Sequence, residues 1–201
     1  AILKNLDENT ILTFGSSEFQ YGVKTPYHPG KIFKDTKFHM MLIGAGYYQS
    51  LSHAITLASL GEDVQKKEAI LFLSPQWFRK AGVQPEAFTS RFSESHYIAM
   101  LKNTHLRKEV KDYMINRSHE LLKVDPATQK RAELYNRVLY TQDASMSDWV
   151  NYRIYTRFLK EKELQTAVMQ MVKDNVPKAS VKAKTDQDPD FASLIKQSVK
   201  D

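Results

Sequence analysis

The sequence predicts an α/β fold, with a parallel sheet in the first half and helices in the second. Three observations predict it. Short apolar runs at Thr10–Phe14, Phe38–Ile43 and Ala69–Leu73 are each stopped by glycine or polar residues. A helix-spaced segment separates the last two runs, as a parallel crossover requires. From about Thr89 onward apolar residues recur at three and four spacing, with no strand between them.

Taken in order, TILTF ends at Gly15, and a helix is expected to begin at Ser17. FHMMLI is stopped by Gly44-Ala45-Gly46. YYQSLSHAITLASLGED then carries Leu51, Ile55 or Ala54, and Ala58 at helical spacing, with Gly61 as its C-cap. AILFL is stopped by Ser74-Pro75-Gln76. Four helical segments follow: FSESHYIAMLKN, LRKEVKDYMINRSHELLKV, TQKRAELYNRVLYTQ and DWVNYRIYTRFLKEKELQTAVMQMVKD. Pro126 suits the first turn of the third, and Ser147 is expected to cap the fourth. NVPKASVKAKTDQDPD reads as a linker and FASLIKQSVK as a final short helix. The division expected is 1–90 as the α/β part, 91–174 as the helical region and 175–201 as linker and terminal helix.

Length and composition narrow the function classes. With 201 residues, 42% of them hydrophobic, the chain can bury a real core. No apolar run approaches the ~20 residues of a membrane-spanning helix, since MMLIGAGYY is short and broken by two glycines. Its first residues lack the basic-then-apolar layout of a secretory signal. Without cysteine there is no disulfide framework, thiolate zinc site or cysteine nucleophile, and no metal or cofactor is called for. A net charge of +6 favours anionic partners without choosing among them. Lys108, Lys111, Arg117, Lys130 and Arg131 are spread along the helices and read as solvated helix surface.

In parallel α/β sheets the functional groups collect at the carboxyl ends of the strands. Gly15 permits a tight strand-to-helix turn that would expose Ser17 there, beside the positive end of a helix dipole. Serine hydrolases use such a turn, although the longer GxSxG pattern is absent. The plain alternative is that Ser16 or Ser17 caps a helix, as a bare GSS tripeptide does more often than it catalyses. Glu18 is explained by the helix start alone. At the next strand ends Gly44 and Gly46 offer unhindered backbone N–H groups, and Gln76 offers an amide, as oxyanion donors. Each has an ordinary reading too, as a tight turn and a surface loop. Tyr47, Tyr48, Trp77 and Phe78 flank these ends and are assigned first to the core.

FGSSEF, IGAGYYQSLSHAITLASLG, AILFLSPQWF and FTSRFSESHYIAMLKN together resemble the DltD family, the D-alanine transfer proteins of lipoteichoic acid D-alanylation. The resemblance is specific to about residue 105 and looser beyond it. It implies an SGNH-hydrolase-like α/β domain on the extracellular face of a Gram-positive cell membrane, anchored by an amino-terminal helix. It further implies work with a membrane O-acyltransferase, and with a D-alanyl carrier protein, to place D-alanyl esters on an anionic polymer. By motif, Ser17 is the nucleophile, Gly44 or Gly46 the oxyanion glycine and Gln76 the amide, where the superfamily has asparagine. The family's catalytic aspartate and histidine come from a DxxH block, and no such spacing occurs in these residues. Neither His28, His53, His96, His105 nor His119 follows an aspartate by three, so none has a sequence reason to act as the base. The chain therefore reads as a fragment, nearly inert by itself, of a serine acyltransferase or esterase.

A reading from another class is a non-catalytic module that docks on the acyltransferase or carrier and positions the polymer, with Ser17 as a cap. Nucleic-acid binding has only net charge in its favour, and no nucleic acid is expected as a partner.

Overall fold

The computed structural model describes residues 2, 6–21, 23–33, 36–64, 67–80, 82–174, 192 and 196. The expected linker and the final helix lie outside this set, apart from helical Ala192 and Lys196. The chain divides into two units, the first within 1–54 and 62–91, the second within 55–61 and 92–179.

The first unit holds three parallel strands, β1 (Thr10–Phe14), β2 (His39–Ile43) and β3 (Ala69–Leu71), in the order β2-β1-β3. Thr10 pairs with His39 and Phe14 with Ile43, while Leu12 faces Ala69 and Phe14 faces Leu71. β1 is central and fully buried, with Ile11, Leu12 and Phe14 in the core. Thr10 and Thr13 are buried with them, as expected of the central strand of a parallel sheet covered on both faces. β2 begins one residue later than expected, and β3 is two residues shorter, ending at Leu71.

Helix α1 (Pro29–Ile32) is one turn, started by Pro29 and capped by His28, whose Nδ1 accepts from the Gly30 N–H at 3.1 Å. α2 (Ser50–Ser59) is the expected crossover, and Gly61 beyond it has φ 62°, the left-handed conformation its C-cap role required. The short α3 (Pro85–Arg91) precedes the expected onset of the helical region and buries Phe88.

The second unit is helical. It contains α4 (Glu94–Lys102), α5 (Lys108–Leu121), α6 (Pro126–Asn136) and α7 (Met146–Asp174) around Tyr97, Met100, Leu122 and Tyr135, each 0% exposed. Pro126 occupies the first turn of α6, with Asp125 accepting from the Thr128 N–H at 3.2 Å. The third segment is not one α-helix to its end. A π-turn at Arg137–Thr141 closes it, and Gln142 stops it at φ 59°. The cap of α7 is Ser145 rather than Ser147: its Oγ accepts from the Asp148 N–H at 3.1 Å, and Asp148 reciprocates on the Ser145 N–H.

The cations expected on solvated helix faces are largely engaged. Arg131 makes a forked pair with Glu94, Lys108 pairs with Asp112 and Arg117 with Glu120. Lys111 is buried and donates to the Leu101 and Asn103 carbonyls at 3.0 and 2.7 Å, closing the carboxyl end of α4.

Candidate active site

The site is built where β1 and β2 end together. The Phe72 N–H reaches the Phe14 carbonyl at 2.8 Å, and the Gly15 N–H reaches the Ile43 carbonyl at 3.2 Å, so the three strand ends share one edge. Two glycines allow this closeness. A Cβ at Gly15 would strike the Glu18 carboxylate and the Phe19 ring, and one at Gly44 would collide with the Gly15 carbonyl. Gly44 also holds φ 147°, a conformation L side chains rarely adopt.

Two expectations about the next residues change here. No helix begins at Ser17. Ser17–Phe19 is a single 3-10 turn, so it supplies no helix dipole, and Ser16 at its start makes no side-chain cap bond. Nor is Glu18 explained by a helix start alone, since its Oε1 accepts from the Ser16 N–H at 2.6 Å. The two serines have separate surroundings. Ser16 is 4% exposed and its hydroxyl donates to the Ala45 carbonyl at 3.3 Å, tying β1's exit to the loop after β2. Ser17 is half-buried and lines an open cavity of about 450 Å³. Among the described residues its hydroxyl has no hydrogen-bond partner.

Gly46 lines the same cavity, whereas Gly44 does not. The loop turns between Ala45 and Tyr48, whose N–H donates to the Ala45 carbonyl at 3.0 Å, with Tyr47 at φ 76°. The Gly46 N–H is engaged by the Gln20 Oε1 at 2.8 Å. Sequence reasoning missed Gln20, because the 3-10 turn it closes was not legible in the sequence. Gln76 has its backbone in the 3-10 turn Pro75–Phe78, and its side chain lies outside the described part.

The aromatic residues do not all belong to the core as expected. Tyr47 is 66% exposed and Phe78 72%. Tyr48 stacks on the His53 ring at 5.6 Å, and Phe14 and Trp77 meet the same ring at 5.5 and 6.1 Å. His53 is thus enclosed, 3% exposed, with neither ring nitrogen hydrogen-bonded among the described residues. Burial pushes its pKa below the ordinary value, against weaker opposing effects of the Gly15 backbone and the Glu18 carboxylate.

The other histidines have work of their own. His28 caps α1 and its Nε2 meets the Phe19 carbonyl at 3.3 Å. His39 pairs with Asp7 at 2.7 Å. In the second unit His96 meets the Thr56 hydroxyl at 3.2 Å and His119 faces Glu133 at 3.4 Å, while His105 lies in the turn after α4. None of the bonds that these groups make leads to Ser17. No group of three or more metal-ligating side chains occurs among the described residues, and no helix among them is long and apolar enough to cross a membrane.

Two further residues of the cavity wall were not anticipated. Arg91, at the end of α3, donates its Nε–H to the Gly46 carbonyl at 2.8 Å and lies 5.8 Å from the Tyr48 ring centre. Arg79, just after the Pro75–Phe78 turn, lines the same cavity.

The chain is similar in sequence to known proteins. The chain is 28% identical to Protein DltD of Bacillus subtilis (strain 168) over 113 residues, which is 55% of this chain and 28% of that protein. It is 29% identical to Protein DltD of Staphylococcus aureus (strain NCTC 8325 / PS 47) over 100 residues, 49% of this chain and 25% of that one. To Protein DltD of Lacticaseibacillus rhamnosus it is 29% identical over 114 residues, 55% of this chain and 26% of that one. The match thus spans about a quarter of these relatives' length. The sequence model of the DltD protein family matches residues 3–201, and the chain belongs to that family.

Proposed function

We propose that this chain is the nucleophile-bearing part of a D-alanyl transferase or esterase acting in teichoic acid D-alanylation at the outer face of the cell membrane. Ser17 Oγ attacks the carbonyl carbon of a D-alanyl ester or thioester as a base takes its proton. The tetrahedral oxyanion collapses, the leaving alkoxide or thiolate receives a proton, and a seryl-D-alanyl ester remains. A polyol hydroxyl of the polymer then attacks that ester, and Ser17 recovers its proton. The oxyanion is held by the Gly46 N–H, with the Gln76 amide as a further donor, since Gly44 does not line the cavity. Gln20 occupies the Gly46 N–H beforehand. A neutral amide oxygen is a weaker acceptor than an oxyanion, so the developing charge displaces it.

The observation that supports this reading is the unengaged Ser17 hydroxyl, facing the same cavity as Gly46 at the carboxyl edge of the sheet. The base comes from residues beyond this chain, where the family resemblance puts a DxxH block. Partners under this reading are the lipoteichoic acid, a membrane O-acyltransferase and a D-alanyl carrier protein. The test is D-alanyl ester formation and cleavage by the full-length protein with Ser17→Ala. A loss of at least about 10³-fold with an intact fold is expected. Unchanged turnover would overturn the serine mechanism.

The docking module is the alternative reading, and what favours it is that no described histidine or carboxylate is hydrogen-bonded to Ser17 to serve as its base. Under that reading Ser17→Ala keeps D-alanylation and partner binding alike.

A further inference from the structure

The cavity beside Ser17 is lined by two arginines and no carboxylate. Glu18, the nearest acid in the sequence, is turned back onto the Ser16 N–H and does not line the cavity. We propose that Arg79 and Arg91 form a phosphodiester subsite that seats the acceptor polyol phosphate next to the serine.

Arg91 is the preorganised half. Its Nε–H is fixed on the Gly46 carbonyl and its guanidinium lies over Tyr48, so the planar group is held in place before any ligand arrives. Among the described residues no carboxylate pairs with it, which leaves its terminal N–H groups for a ligand. A guanidinium already positioned by one hydrogen bond loses little entropy when it clamps a phosphate, and the resulting bonds are charge-assisted. Arg79, exposed at the end of a turn begun by Pro75, supplies a second, mobile cation.

The cavity also asks for a donor from its ligand. Gln49 Oε1 is buried in the same wall with no partner among the described residues. An orphaned amide oxygen is costly until an O–H or N–H meets it. Phosphate oxygens alone cannot do so, whereas a polyol phosphate carries hydroxyls beside its anionic group. Such a ligand would also bring the hydroxyl that attacks the acyl-enzyme close to Ser17. The coupling is direct, because Arg91 holds the carbonyl side of the residue whose N–H is the proposed oxyanion donor. The subsite rests on the acyl-transfer reading for the identity of the acceptor, but its binding can be measured without turnover.

The experiment titrates full-length protein with a glycerol-phosphodiester oligomer. Free glycerol, a single-stranded DNA oligomer and phosphatidylglycerol vesicles are run in parallel. Arg79→Gln, at an exposed side chain with no ion pair among the described residues, should weaken oligomer binding about ten-fold and flatten its salt dependence. Arg91→Gln should weaken it further, and Arg91→Lys should fail to restore it, since lysine lacks the planar fork. Oligomer affinity equal in wild type and Arg79→Gln would overturn the subsite. So would glycerol binding as tightly as the oligomer, or DNA or vesicles binding more tightly than it. Arginine-dependent binding that persists in Ser17→Ala supports the subsite. If that variant also keeps its turnover, the serine mechanism falls while the subsite stands.

Discussion

At the residue scale, Gly44 and His53 carry the tightest constraints on the turn that presents Ser17. Gly44 combines φ 147° with a position where any Cβ meets the Gly15 carbonyl, which itself belongs to the nucleophile turn. Gly44→Ala should therefore cost about 3 kcal/mol, through strain plus displaced backbone, and a urea midpoint measures it. The glycine was readable from GAG as an oxyanion candidate. Its packing role was not, because that depends on how closely two non-adjacent strand ends approach. His53 sits behind the same turn, enclosed by Phe14, Tyr48 and Trp77. Its pKa lies below 6.5 in the fold, so the unfolded chain binds the extra proton. Stability is then full above pH 6.5 and falls as pH drops below it. The Gly15 backbone and the Glu18 carboxylate partly offset this effect. His53→Phe should flatten the stability profile between about pH 7 and 5.5, as read by thermal unfolding across buffers. A profile as steep as that of wild type would assign the acid sensitivity elsewhere.

At the element scale, the helical unit depends on polar links that periodicity does not encode. Apolar spacing located α4, α5, α6 and α7, because their buried faces repeat every three to four residues. It said nothing of Glu94, which accepts from Arg131 at 3.0 and 2.9 Å and from the Tyr135 hydroxyl at 2.6 Å, joining the start of α4 to α6. The same desolvation and the adjacent carboxylate push the Tyr135 pKa well up, so its hydroxyl remains a donor throughout the working range. Glu94→Ala strands a half-buried guanidinium and a buried phenol together, and should lower stability by about 2–3 kcal/mol. Lys111→Met removes both bonds that close the end of α4, with an expected loss of about 2 kcal/mol. Both are read from denaturant midpoints of the second unit's helical signal. Lys111 was taken for a solvated cation because sequence position alone does not reveal which carbonyls a lysine can reach. The Ser145 cap was misassigned by two residues for a related reason. Two serines flank Met146, and only the reciprocal bond with Asp148 distinguishes them.

At the scale of the whole molecule, the sheet order follows from β1 being the run whose five residues are all buried. The strand ends that carry Ser17 and Gly46 were legible as one edge because parallel strands place all their carboxyl ends together. The arginines of the cavity were not, since α3 and the Pro75–Phe78 turn bring them in from outside the strand-end motifs. The third run holds a further consequence. AILFL is apolar without alternation, the pattern of a parallel strand covered on both faces, yet β3 is an edge and all three of its residues are exposed. Phe72 and Leu73 continue the exposed stretch, Leu73 at 55%. An uncovered apolar edge offers both unpaired backbone groups and hydrophobic area to other chains. The 201-residue chain by itself should accordingly bind an apolar dye and self-associate as its concentration rises. Leu73→Lys, which puts a charge on the most exposed of these positions, should reduce both signals without loss of secondary structure. Light scattering and dye fluorescence measured side by side decide the matter. A monodisperse chain that leaves the dye dark would mean that β3 is already covered, and full-length protein that behaves as the isolated chain does would mean that nothing beyond these residues covers it.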